Sequence, residues 1–158
     1  MADLMSAEAA MEIALMLAQQ GVKAGEPPFG AAILDGGGQK IAGAHDMVNS
    51  AGDMTRHAEV EAIRMAVASR GPDLSGCTLA TTVEPCPMCF TAAWLSRISR
   101  IVYGTTMSAV ADATRGAQRE VNIPVARMNE LSGNEIELIG GVLGDACLEL
   151  FLATSLEE

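Results

Sequence analysis

The chain has 158 residues, of which 49% are apolar and only 3% aromatic, and it carries a formal net charge of −10 at pH 7. That length fits one domain, residues 1–158, able to bury about 70% of the surface its unfolded form exposes, so no metal is needed merely to hold it together. A surface with pI near 4.5 repels phosphate backbones and argues against a nucleic-acid partner, and no apolar run approaches the ~18 residues of a membrane span.

Asp3, Glu8 and Glu12 stand where a secretory leader carries basic charge, so the expected location is the cytoplasm. An amphipathic helix over 6–22, with Ser6 as N-cap, puts Ala9, Ile13, Met16 and Leu17 on one face and stops at Gly21. Gly25-Glu26-Pro27-Pro28 breaks helix, and 29–34 reads as a short apolar strand. Asp35-Gly36-Gly37-Gly38-Gln39 reads as a hairpin turn, because no Gly-Lys-Ser/Thr follows to make it a phosphate loop. The partner strand is 40–44. A second helix over 56–69 ends at Gly71-Pro72; then come a strand at 77–83, a helix at 87–96 and a strand at 99–103. Beyond Gly104 the pattern predicts a helix near 108–114, a loop with Arg115, Gly116, Gln118 and Arg119, a short helix after Pro124, a strand at 136–139 and a last helix at 145–153. Strands alternating with helices imply an α/β fold with a mostly parallel sheet, apart from the opening hairpin.

Chemistry concentrates in Thr82-Val83-Glu84-Pro85-Cys86-Pro87-Met88-Cys89, where an apolar strand hands over to a helix. Pro87 has no N–H to lose in the first turn, and cysteines three apart share one side of it, near the positive helix end that favours thiolates. Of the two histidines, His57 is the candidate partner, because it opens His57-Ala58-Glu59 just before the helical pattern of Val60, Ile63, Met65, Ala66 and Val67. One imidazole and two thiolates leave a tetrahedral zinc with an open position, the arrangement of a catalytic site. Glu59 is placed to move protons for it. His45, beside a strand end, reads as an ordinary partly buried histidine, and Cys77 and Cys147 as buried structural thiols.

The pairing of His57-Ala58-Glu59 with Pro85-Cys86-Pro87-Met88-Cys89 resembles the cytidine deaminase superfamily, in the branch of guanine deaminases, fungal cytosine deaminase and bacterial tRNA adenosine deaminases. Pro28-Phe29-Gly30-Ala31-Ala32 and 96–104 share the likeness, which runs over roughly 11–151. The resemblance implies a three-layer α/β/α sandwich with a five-stranded mixed sheet, one zinc per chain on His57, Cys86 and Cys89, Glu59 as the catalytic proton carrier, and a homodimer. It also implies hydrolytic release of ammonia from a base, a nucleoside or a tRNA anticodon base. The acidic end Ala153-Thr154-Ser155-Leu156-Glu157-Glu158 has no basic residue to grip phosphates, so a small guanine-type base or nucleoside is the expected substrate and a tRNA adenosine deaminase the alternative.

Phe29, Trp94 and Asp112 are candidate substrate contacts, although the Phe-Asp-Asp of bacterial guanine deaminases is absent and Arg115-Gly116-Ala117 lies near that place. Asp46 falls where relatives carry an asparagine that bonds the substrate. Ionised Asp offers acceptors only, so it suits a substrate edge that presents N–H donors; the other reading leaves it facing solvent at a strand end. A rival from another class takes Cys86-Pro87-Met88-Cys89 as a thioredoxin-like dithiol, which leaves His57-Ala58-Glu59 unexplained.

Overall fold

A computed structural model describes residues 2–155, with side chains over 6–153. The acidic end at Leu156-Glu157-Glu158 lies outside the described residues. A 22-residue helix α1 (Ala2–Lys23) leads into the hairpin β1 (Gly30–Leu34) and β2 (Lys40–His45). A short α2 (Val48–Ala51) and α3 (Ala58–Arg70) then precede β3 (Thr78–Val83), α4 (Pro87–Leu95) and β4 (Arg100–Thr105). The remainder is α5 (Met107–Ala113), α6 (Val125–Leu131), β5 (Glu137–Ile139) and α7 (Gly144–Ser155).

The five strands form one mixed sheet in the order β2-β1-β3-β4-β5. β1 runs antiparallel to both β2 and β3, whereas β3, β4 and β5 are parallel. The central strands β1 and β3 are buried along their whole length, which is why neither shows the apolar–polar alternation of a strand with one solvated face. On one face, residues of α3, α4 and α6 pack with Ile33, Leu79, Ile101 and Phe90. On the other, α1 and α7 lie against Ala32, Ala80 and Val102 through Met11, Leu17 and Cys147. This is the expected three-layer sandwich. A Cβ added to Gly30 would come 2.1 Å from the Ala14 carbonyl oxygen, so glycine there lets α1 lie directly on β1.

Three local expectations change. α1 begins at Ala2, so Ser6 lies within the helix and is not its N-cap. α1 does not stop at Gly21 but continues to Lys23, and the left-handed residue that ends it is Gly25, at φ 86°. Gly21 is glycine because a Cβ there would meet the Cβ of His45 at 2.8 Å. The helix α2 carries no periodic signal over its four residues and is too short to hold itself. It is held by Glu26, whose carboxylate accepts from Asn49 N at 2.9 Å and Ser50 N at 2.7 Å. The hairpin turn is as read: Asp35 Oδ1 accepts from the backbone N–H groups of Gly37 and Gln39.

Candidate metal centre and cavity

Two of the three candidate ligands are N-cap residues. His57 caps α3 and Cys86 caps α4, both in extended conformation, and neither side chain makes an N-capping hydrogen bond. Each is therefore free to turn toward the other. Cys89 follows one turn into α4, so the ends of two helices that meet the carboxyl edge of β3 bring all three together.

His57 Nδ1 lies 3.4 Å from Cys89 Sγ and 3.7 Å from Cys86 Sγ. The three donor atoms all fall within 4.8 Å of one another. A tetrahedral zinc with Zn–S of about 2.3 Å and Zn–N of about 2.0 Å sets its ligand atoms roughly 3.5–3.8 Å apart, so the trio fits that ion. Among the described residues it is the one such group of three. Cys77 and Cys147 are buried in the core, apart from it, and His45 bonds the Asp46 carbonyl through Nδ1 at 2.7 Å.

The charges of the trio are mutually adjusted. The Cys86 thiol is pulled down to about 4, first by its bond with Cys89 and then by His57, whose imidazole is in turn held up at about 9 by the Cys86 sulfur. Cys89 is driven upward by the neighbouring Cys86 sulfur and by burial. In the metal-free protein this is an imidazolium, a thiolate and a thiol, with net charge zero. A zinc with two thiolates and a neutral imidazole has the same net charge.

Glu59, one residue into α3 beyond Ala58, is only 4% exposed. Its Oε2 lies 3.4 Å from Cys89 Sγ, and its Oε1 is 2.7 Å from the Thr81 hydroxyl. Burial pushes its carboxyl up, and the Cys86 charge adds to this.

Beside His57 opens a cavity of about 320 Å³. Phe29, Asp46, Asn49 and Met54 line it on one side, and Gln118, Arg119 and Glu120 on the other. Phe29 is steadied by Phe151, edge to face at 5.1 Å. Asp46 is not the solvent-facing residue of its second reading. It is 4% exposed, and its Oδ1 accepts from Ala58 N at 2.7 Å, which fixes the start of α3. Burial, and then the charge of Glu59, raise its carboxyl to about 8.

Two sequence candidates are not brought here. Trp94 sits two turns along α4, about 12 Å from the Cys86 end at 1.5 Å per residue, and lines a separate cavity with Arg97, Glu135 and Ile136. Asp112 is exposed on α5, and the wall it was expected to join is built by Ala117, Gln118, Arg119 and Glu120 of the following loop. Glu120 was missed altogether. Its Oε1 is 4.0 Å from His57 Nε2, and burial, then the Cys86 charge, raise its carboxyl. Nothing in an irregular loop 63 positions from His57 marks it as a site residue.

Residues 5–105 match the family model described as the cytidine and deoxycytidylate deaminase zinc-binding region. The chain belongs to this family. It is 47% identical over 106 residues, 66% of the chain, to a Deinococcus deserti protein named tRNA(Ile)-lysidine synthase, but this spans only 20% of that protein's length. It is 40% identical to the guanine deaminase of Bacillus subtilis over 111 residues, 69% of this chain and 70% of the other. The structure of a guanine deaminase from Nitrosomonas europaea superposes with a TM-score of 0.85 at 29% identity, covering 94% of this chain and 84% of that one. Membership in a zinc-binding family makes the trio the candidate zinc site, and the dithiol reading has no use for an imidazole in contact with both sulfurs.

Proposed function

We propose that the chain is a zinc-dependent hydrolytic deaminase releasing ammonia from a small amino-heterocycle, a guanine-type base or nucleoside, in the cytoplasm. The observation that carries this reading is the buried carboxyl of Glu59, in contact with one ligand sulfur beside a cavity sized for a single base. A closed structural zinc needs a fourth protein ligand, and none joins the trio among the described residues.

Zinc, when bound, activates water as the nucleophile at neutral pH. Glu59 takes a proton as water adds to the amino-bearing ring carbon, passes it to the adjacent ring nitrogen, and returns a second to the departing amino group. One water enters and one ammonia leaves, with a carbonyl in place of the amine. A carboxyl raised by burial suits this exchange, since burial eases the protonated form through which it must pass. Phe29 offers an apolar wall to the ring, while Asp46 and Glu120 bring acceptors. Because Asp46 Oδ1 is committed to Ala58 N, one oxygen remains for substrate. Above about pH 8, where Asp46 is ionised, that oxygen accepts and favours an edge rich in N–H donors, as in guanine; below it the protonated carboxyl can donate to a ring lone pair instead.

A second reading, deamination of a base in tRNA, draws support from 41% identity over 96 residues to a protein of Agrobacterium fabrum named tRNA-specific adenosine deaminase. The net charge of −10 opposes it. The test is ammonia release from guanine, guanosine, cytosine, adenosine, an amino-triazine and a tRNA. Guanine-type activity is expected. Turnover of tRNA alone would establish the second reading, and no release from any of them would overturn both.

A further inference from the structure

Successive side chains of β3 point to opposite faces, and the adjacent Thr81 and Thr82 do different things. Thr82 Oγ1 accepts from Gly30 N at 3.1 Å, a bond between strands with no link to the metal centre. Thr81, only 1% exposed, turns the other way. Its hydroxyl lies 2.7 Å from Glu59 Oε1 and 3.0 Å from the Val83 carbonyl oxygen.

A threonine hydroxyl has one proton and can donate to one acceptor at a time, while its lone pairs accept. Two arrangements satisfy it without moving a heavy atom. With Glu59 ionised, the hydroxyl donates to Oε1. With a proton on Oε1, the carboxyl donates to the hydroxyl, which turns about its Cβ–O bond and donates to the Val83 carbonyl.

We propose that Thr81 is the positioning residue of Glu59, its buried hydroxyl set between Glu59 Oε1 and the Val83 carbonyl so that the carboxyl is held in one place beside the metal centre. No proton passes through Thr81; its hydroxyl keeps the one it has. The β-branched side chain fixes where the oxygen sits, because χ1 of threonine is stiff. This inference rests on the reading of Glu59 as proton carrier.

The test compares Thr81→Val, which keeps shape and loses the hydroxyl, with Thr81→Ser, which keeps the hydroxyl. Thr82→Val serves as a control for general loosening of β3. Loss of a partner that orients a site residue is worth about 10–100-fold in activity. Thr81→Val should therefore lower kcat at least about ten-fold with KM within about two-fold and zinc content unchanged, while Thr81→Ser recovers most of the loss. Independently of turnover, the infrared carboxyl band identified by its disappearance in Glu59→Gln should shift in Thr81→Val and return in Thr81→Ser. An unmoved band in Thr81→Val overturns the proposal, as does parental kcat in that variant. Parental turnover in Glu59→Gln would instead overturn the function proposed above, and the band would still report whether the bond exists.

Discussion

At the scale of single residues, the trio predicts how zinc is taken up. Below about 9 His57 holds a proton, Cys89 keeps its own, and Cys86 is ionised above about 4. Zinc loading near pH 7 must expel two protons, so affinity should rise by roughly two decades per pH unit between those limits and fall as the pH drops. Calorimetric titration in two buffers of different ionisation enthalpy measures the number, and release of fewer than one proton would refute the ligand set. Asp46 makes a second case. Its folded carboxyl sits at about 8 against an ordinary 3.8, so it binds a proton more tightly folded than unfolded, and its contribution to stability declines as pH rises between those values. Asp46→Asn keeps an oxygen for Ala58 N and carries no charge. Its melting temperature should gain on the parent from pH 4 to pH 8 and level off above, while kcat/KM shifts away from donor-edged substrates. A constant gap in melting temperature would show that the carboxyl does not feel its burial.

Among the elements, the piece that closes the cavity is the loop between α5 and α6, and Glu84 holds the starts of the two helices that flank it. Its Oε1 accepts from Met107 N at 3.1 Å and its Oε2 from Val125 N at 2.7 Å. The side chain is 8% exposed and bridges two helix starts that would otherwise leave buried N–H groups unpaired. Glu84→Gln has one oxygen for two donors, and its amide N–H meets the second head on. The expected result is a loss of about 1–3 kcal/mol in unfolding free energy, with faster amide exchange at 117–120 and a raised KM. Unchanged exchange in that loop would mean that the loop is held from elsewhere.

For the molecule as a whole, several large apolar residues are exposed. Met88 and Leu95 on α4 and Leu131 on α6 are exposed, Leu95 and Leu131 by 68% each, and the two helices pack side by side. Such a face calls for cover, and a second copy of the chain is the occupant implied by the family. Light scattering at micromolar concentration should give twice the chain mass of 16.4 kDa, and Leu95→Glu should shift it toward the monomer. The monomer mass for the parent would refute the dimer.

The sequence alone was enough for the zinc site and the layers, because both are written in local pattern. His57 and Cys86 each stand at the start of a run of helical periodicity, so each lies at a helix start whichever way the helices pack, and the strand-helix alternation names the sandwich. Register and cavity were not written locally. α2 exists because Glu26 reaches it from 23 positions away, and Gly21 is glycine because His45 crosses it, not because a helix ends there. Trp94 shares a helix with Cys86 and Cys89, yet the rise along α4 carries it out of reach, while Glu120 arrives beside His57 from a loop with no pattern at all. A side chain's neighbours along the chain are set by helical and strand periods, which a sequence displays; its neighbours across a cavity are set by how separate elements pack, which only the tertiary structure decides.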